Sequence, residues 1–197
     1  MLGLIATSLI ALNAQIPDKE HLAPSAVLQA FYQKMHEAPT ASGVIRSNAG
    51  KDENRIVFRI MRPNLFSMKG DDFSVVGDGK TMTMKVQGRD TPIRFRQSLT
   101  SPDIYGFEAL TTDSIPAYVK AKRLAISQFR GQPAYAIPIS DERTAASGVT
   151  LFIGRKSLLP IGCVFSEEGK ERSLAYDSVE LGAKMERREF VSSVGKQ

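Results

Sequence analysis

Cysteine occurs once in the 197 residues, histidine twice and tryptophan not at all. A single thiol excludes an intramolecular disulfide. Cys163 sits in the apolar run LLPIGCVF, which marks it as a small buried hydrophobe rather than a reactive thiol. His21 falls in a polar linker and His36 near a helix end, neither with a second histidine at ligand spacing, so both read as surface residues. No Ser-His-Asp or Cys-His set can be assembled from what remains. The acidic pairs Asp71-Asp72 and Glu167-Glu168 lie in turn-like stretches, where carboxylates are routine, and lack the spaced oxygen ligands of a calcium loop. Gly77-Asp78-Gly79-Lys80 lacks the glycine-rich lead-in of a phosphate loop and precedes a strand pattern. These absences point away from an enzyme and away from any metal or cofactor.

Long apolar runs are also scarce. Residues Met1 to Ala14, MLGLIATSLIALNA, form an uncharged stretch below the roughly 20 residues that span a bilayer. Its length and its small final residue suit a signal-peptide core, with cleavage expected after Ala14; without a basic lead-in, retention as an anchor is the alternative. Residues 15–22 then read as a linker and 23–197 as one domain, since this length suits a single well-buried core. The expected location is periplasmic or secreted. The formal charge of +5, with a pI near 9.4, arises from Lys and Arg scattered over polar strand faces. Scattered cations describe a solvated basic surface, with attraction to anionic lipid head groups or an acidic partner as the second reading and no nucleic-acid partner.

What the chain does have is alternation. Between Asn54 and Gln97, Ile56, Phe58 and Ile60 alternate with Arg55, Val57 and Arg59, and Phe66 and Met68 flank Ser67. Met82, Met84 and Val86 alternate with Thr81, Thr83 and Lys85, and Ile93 and Phe95 with Arg94 and Arg96. Period two means strands with one apolar and one polar face. Pro63-Asn64, Gly70-Asp71-Asp72, Gly77 to Lys80 and Gln87 to Asp90 supply the turns. Before this stretch, Pro24 opens a helix in which Val27, Leu28, Phe31, Tyr32 and Met35 recur at helical spacing, ending near Ala38-Pro39. TASGVIR, 40–46, reads as the first strand, with a polar turn over 47–53.

Residues 98–123 lose the alternation, and Pro102 and Pro116 suggest two short helices, about 101–110 and 114–122. Gly106 and the Thr111 to Ser114 junction are candidate hinges. From Leu124 the pattern returns to strands, LAISQF, PAYAIPI, VTLFIG, LLPIGCVF, RSLAYDSVEL and REFV. The total is about ten to eleven strands and three helices: an α+β domain dominated by antiparallel sheet.

Arg62-Pro63-Asn64-Leu65-Phe66, followed one strand later by Asp78-Gly79-Lys80-Thr81, resembles the signature of the LolA/LolB-like lipoprotein-carrier family and its periplasmic relatives. The resemblance covers roughly residues 24–192. It implies a curved, incompletely closed antiparallel β-barrel with an N-terminal helix and a short-helix lid over its apolar concave face. It also implies binding of lipid or the acyl chains of a lipoprotein by a monomer, with a membrane-bound donor or acceptor protein as a further partner. Some proteins of this fold are instead envelope-stress sensors that bind a regulatory partner. A structural β-domain with no ligand is the third alternative. Met68, Met82 and Met84 stand where the family often has Trp or Tyr. Flexible Met side chains suit a surface that must accept variable apolar shapes, although a filled core is the plainer reading of the same residues. On the resemblance, Phe58, Ile60, Phe66, Met68, Met82, Met84, Ile93 and Phe95 line the ligand face, and Arg62 matches the arginine that holds the lid closed.

Overall fold

A computed structural model describes residues 23–49, 52–96, 120–121, 123–140 and 147–190. Helix α1, Pro24–Glu37, begins with proline at its first turn, where the missing N–H forfeits no helical bond. Its buried stripe is Val27, Leu28, Phe31, Tyr32 and Met35, as the spacing predicts. Burying each such side chain contributes about 1.5–3 kcal/mol, which anchors a helix that has no side-chain cap at its start.

Twelve strands follow. The first six, β1 (Thr40–Ala49), β2 (Asp52–Met61), β3 (Leu65–Lys69), β4 (Phe73–Gly77), β5 (Thr81–Val86) and β6 (Ile93–Arg96), form an antiparallel meander. The other six are β7 (Lys120–Ala121), β8 (Ala125–Phe129), β9 (Gln132–Ser140), β10 (Ser147–Gly154), β11 (Pro160–Glu167) and β12 (Lys170–Leu181). They form a second meander in which β7 and β8 both pair with β9. The two join through β1 and β12, which pair from Ala41↔Leu181 to Asn48↔Ser173 across a bulge at Val44/Ile45. The order β6-β5-β4-β3-β2-β1-β12-β11-β10-β9-β7 leaves the sheet open, with no pairing between its two ends among the described residues. No helix among them is long and apolar enough to cross a membrane.

Several expectations need correction. Among the described residues the strands number twelve, against an expectation of about ten to eleven. The first strand runs on to Ala49 and the second starts at Asp52, because their ladder extends to Ala49↔Asp52 and absorbs most of the expected polar turn. Of REFV, read as a strand, the part up to Phe190 is instead the end of a 3-10 helix, Arg187–Phe190, that buries Phe190; Val191 lies outside the described residues. Lys120 and Ala121, expected to end a lid helix, instead pair with Ser140 and Ile139. The remainder of both expected lid helices, the hinge residues and the signal segment lie outside the described residues.

The core lies on the face of the sheet beneath α1. Phe31 and Met35 meet Ile45, Phe58, Ile60, Ile137, Leu151, Ile153, Cys163 and Tyr176 in one buried cluster. Gly43 makes this packing feasible, since a Cβ there would lie 2.7 Å from the Phe58 ring and 2.1 Å from the Ser178 carbonyl. The freed space lets Phe58 sit edge-on to Tyr176, ring centroids 6.3 Å apart.

Candidate ligand-binding face

Residues directly opposite in an antiparallel ladder share a face. Phe58 is opposite Met68 and Ile60 opposite Phe66; Met68 and Phe66 lead through Val75 and Gly77 of β4 to Met84 and Met82. Those two are opposite Ile93 and Phe95. All eight residues expected to line the ligand face therefore lie on one face of the sheet, the one that carries α1.

They do not share one environment. Phe58, Ile60, Phe66 and Met68 are part of the filled core, from 0% exposed at Phe58 to 8% at Met68. Met82 and Met84 on β5 are partly buried. On the edge strand β6, Ile93 and Phe95 are 37% and 38% exposed. The face thus grades from packed core under the helix to open apolar surface at the edge, with Phe73 and Val75 partly buried between.

Arg62, just beyond β2, holds the helix that closes the packed half. Its Nε donates to the Ala38 carbonyl at 3.0 Å and a terminal guanidinium nitrogen to the Met35 carbonyl at 2.7 Å. Helix C-termini leave carbonyls unsatisfied and carry partial negative charge, so a planar cation with several donors suits the position. The lid that the resemblance sets against Arg62 lies, apart from Lys120 and Ala121, outside the described residues. A second tether, Lys34 Nζ to the Ser157 carbonyl at 2.6 Å, fixes the same helical turn to the β10–β11 connection. One helix end is thereby tied to both meanders.

The two turn motifs meet in space. Asp78 Oδ1 accepts hydrogen bonds from the backbone N–H groups of Lys80 and Thr81 at 2.9 and 2.8 Å, closing the β4–β5 turn. Gly79 has φ +95°, and a Cβ there would lie 2.7 Å from the Asn64 side chain packed over it. The RPN and DGK elements are one joint at the end of β2 to β5, which explains their spacing. Sequence reading missed this contact, because nothing in either motif alone names the other as a neighbour.

On the opposite face, Leu65 and Phe190 are buried beside a cavity of about 410 Å³ whose wall includes Thr81, Thr83 and Arg94. Arg59 pairs with Glu189, securing the 3-10 helix there.

No protein-family model matches the sequence, and no curated protein does so either. Solved structures do resemble the fold. A structure of MucB is 16% identical over 87% of this chain and 63% of its own, with a TM-score of 0.54. A DUF1329 family protein from Desulfovibrio piger is 9% identical over 88% and 99%, with a TM-score of 0.52. A LolA superfamily protein from Nitrosomonas europaea is 11% identical over 87% and 99%, with a TM-score of 0.44. The open antiparallel sheet with its N-terminal helix is a fold that this chain shares with the MucB and DUF1329 structures.

Proposed function

We propose that the protein is an exported carrier or binding protein that shields acyl chains of a lipid or lipoprotein on its apolar sheet face. One observation carries the reading: apolar side chains continue from the core under α1 out to Ile93 and Phe95, which face solvent on the edge strand. The pair extends the apolar face past what α1 covers, with Arg94 and Arg96 alternating on the other side, so the exposed side chains are continuous with the core face rather than scattered. Met82, Met84, Ile93 and Phe95 form the contact surface in this reading, and Phe58, Ile60, Phe66 and Met68 its rigid back wall. Arg62 keeps the helical cover in place. Binding is driven by the hydrophobic effect, about 0.8 kcal/mol per buried CH₂, and involves no bond-making chemistry. The LolA-like fold and the apolar stretch 1–14 support export to the periplasm.

Replacing Met84 with Glu is the direct test. A carboxylate on this face should weaken a fluorescent fatty acid at least tenfold while the far-UV spectrum and urea midpoint stay near wild type, because Met84 lies outside the buried core. Phe58→Ala, in contrast, should cost about 3–5 kcal/mol of stability. Wild-type protein that ignores fatty acid, or a folded Met84→Glu protein that binds it unchanged, removes the carrier reading. Native mass spectrometry of protein from its own envelope fraction that returns a polypeptide partner and no lipid replaces it with a regulatory binding module.

A further inference from the structure

β5 reads Thr81-Met82-Thr83-Met84, so the parity that turns the methionines to the apolar face turns both threonines to the other. There they meet three cations from separate elements. Arg94 is directly opposite Thr83 in the ladder, Lys80 ends the Asp78 turn, and Arg187 comes from the 3-10 helix. All five residues line the cavity of about 410 Å³. Thr83 is only 7% exposed, which places it deep in the wall, while Lys80, Arg94 and Arg187 are exposed at the rim.

Among the described lining residues the balance of charge is positive. Asp78 is the one carboxylate among the described lining residues, and its Oδ1 is already engaged by two backbone N–H groups, which hold its carboxyl below the usual carboxylate range. Among the described residues, no carboxylate lies within ion-pair distance of Lys80 or Arg187. Lys80 and Arg187 therefore bring charge to the recess from two separate elements, beside the hydroxyls of Thr81 and Thr83. A planar carboxylate is satisfied by a single guanidinium fork; a group with three outward oxygens uses hydroxyls and cations arriving from separate elements.

We propose that this recess is a binding site for a phosphoryl group, presented by a soluble phosphate ester or by a phospholipid head group. Its walls are Thr81 and Thr83 as hydroxyl donors and Lys80 and Arg187 as charges, with Arg94 opposite Thr83 in the ladder. The apolar face lies on the other side of the same strands, so the two sites are independent of each other.

Backbone amide shifts of the full chain report occupancy directly. Titration with inorganic phosphate or glycerol 3-phosphate should give saturable shifts at Thr81, Thr83 and Arg94, and Thr83→Val combined with Arg187→Gln should weaken binding at least tenfold. Thr83→Val keeps the branched shape and removes only the hydroxyl. Lys156→Gln, on an exposed residue of the β10–β11 connection, should leave the affinity unchanged. Saturation by the soluble compounds assigns the site to a phosphate ester. Binding only to phosphatidylglycerol vesicles, lost in the double variant, assigns it to a head group. Absence of binding in every arm, or equal binding by the wild type and the double variant, overturns the site whatever the fatty-acid result.

Discussion

Single residues on this sheet take their chemistry from the face they occupy. Cys163 and Tyr176 both point into the core beneath α1. Burial pushes the Cys163 thiol up to about 12 from an ordinary value near 9, with a backbone hydrogen bond at Leu174 opposing slightly, and burial holds the Tyr176 phenol well above its usual range. Both groups are neutral in the fold and ionise earlier in the unfolded chain. Their contribution to stability is therefore complete below about pH 9 and is lost as pH rises from there toward 12. Urea midpoints should be level to pH 8 and fall above 9, by up to about 1.4 kcal/mol per pH unit for each group that ionises only on unfolding. Cys163→Ala and Tyr176→Phe should each make that fall shallower; slopes identical to wild type would refute the assignment. The apolar run around Cys163 made its burial legible in the sequence. The Asn64–Gly79 contact was not legible, because it depends on two turns being brought to one corner by strands that each motif does not contain.

At the scale of elements, alternation identified strands wherever one face is buried and the other wet, and it placed all eight apolar candidates on a common face. It failed where burial was not the organising force. REFV alternates too briefly to specify a strand, and its Phe190 instead buries against β3 through a 3-10 turn. Lys120–Ala121 is a two-residue strand, below any period that a sequence can display. Nor could parity separate the packed half of the ligand face from the open half, since both read as alternating apolar residues; only the position of α1 divides them. Arg62 ties the end of the helix into that position. Arg62→Leu should free the Met35 and Ala38 carbonyls and lower stability by about 2–3 kcal/mol, as charge-assisted bonds of this kind supply. Hydrogen exchange should rise in the last turn of α1, and Arg62→Lys should restore little of the loss, because an ammonium lacks the planar fork. Unchanged exchange across α1 in Arg62→Leu would show that the helix is held by its apolar stripe alone.

Taken whole, the molecule is two meanders joined along one line. Pairing within each meander links strands that follow one another closely in sequence, whereas the β1–β12 ladder brings Ala41 to Leu181. This has a consequence for how quickly the chain finds its structure. Hairpins close small loops and lose little chain entropy, but the central ladder must close nearly the whole domain before any of its bonds form. Formation of that ladder should limit the rate of refolding. Ile45, fully buried beside the β1 bulge, belongs to the limiting step, and Val75, on a β4 that pairs only with its neighbours in sequence, does not. In stopped-flow experiments Ile45→Val should chiefly slow refolding, while Val75→Ala should chiefly accelerate unfolding. The reverse assignment of the two rate changes would place the barrier within a meander. If the central ladder does set the rate, a newly made chain spends its slowest interval with both meanders formed and the inner edges of β1 and β12 unpaired, the condition in which strands of separate copies are most prone to join.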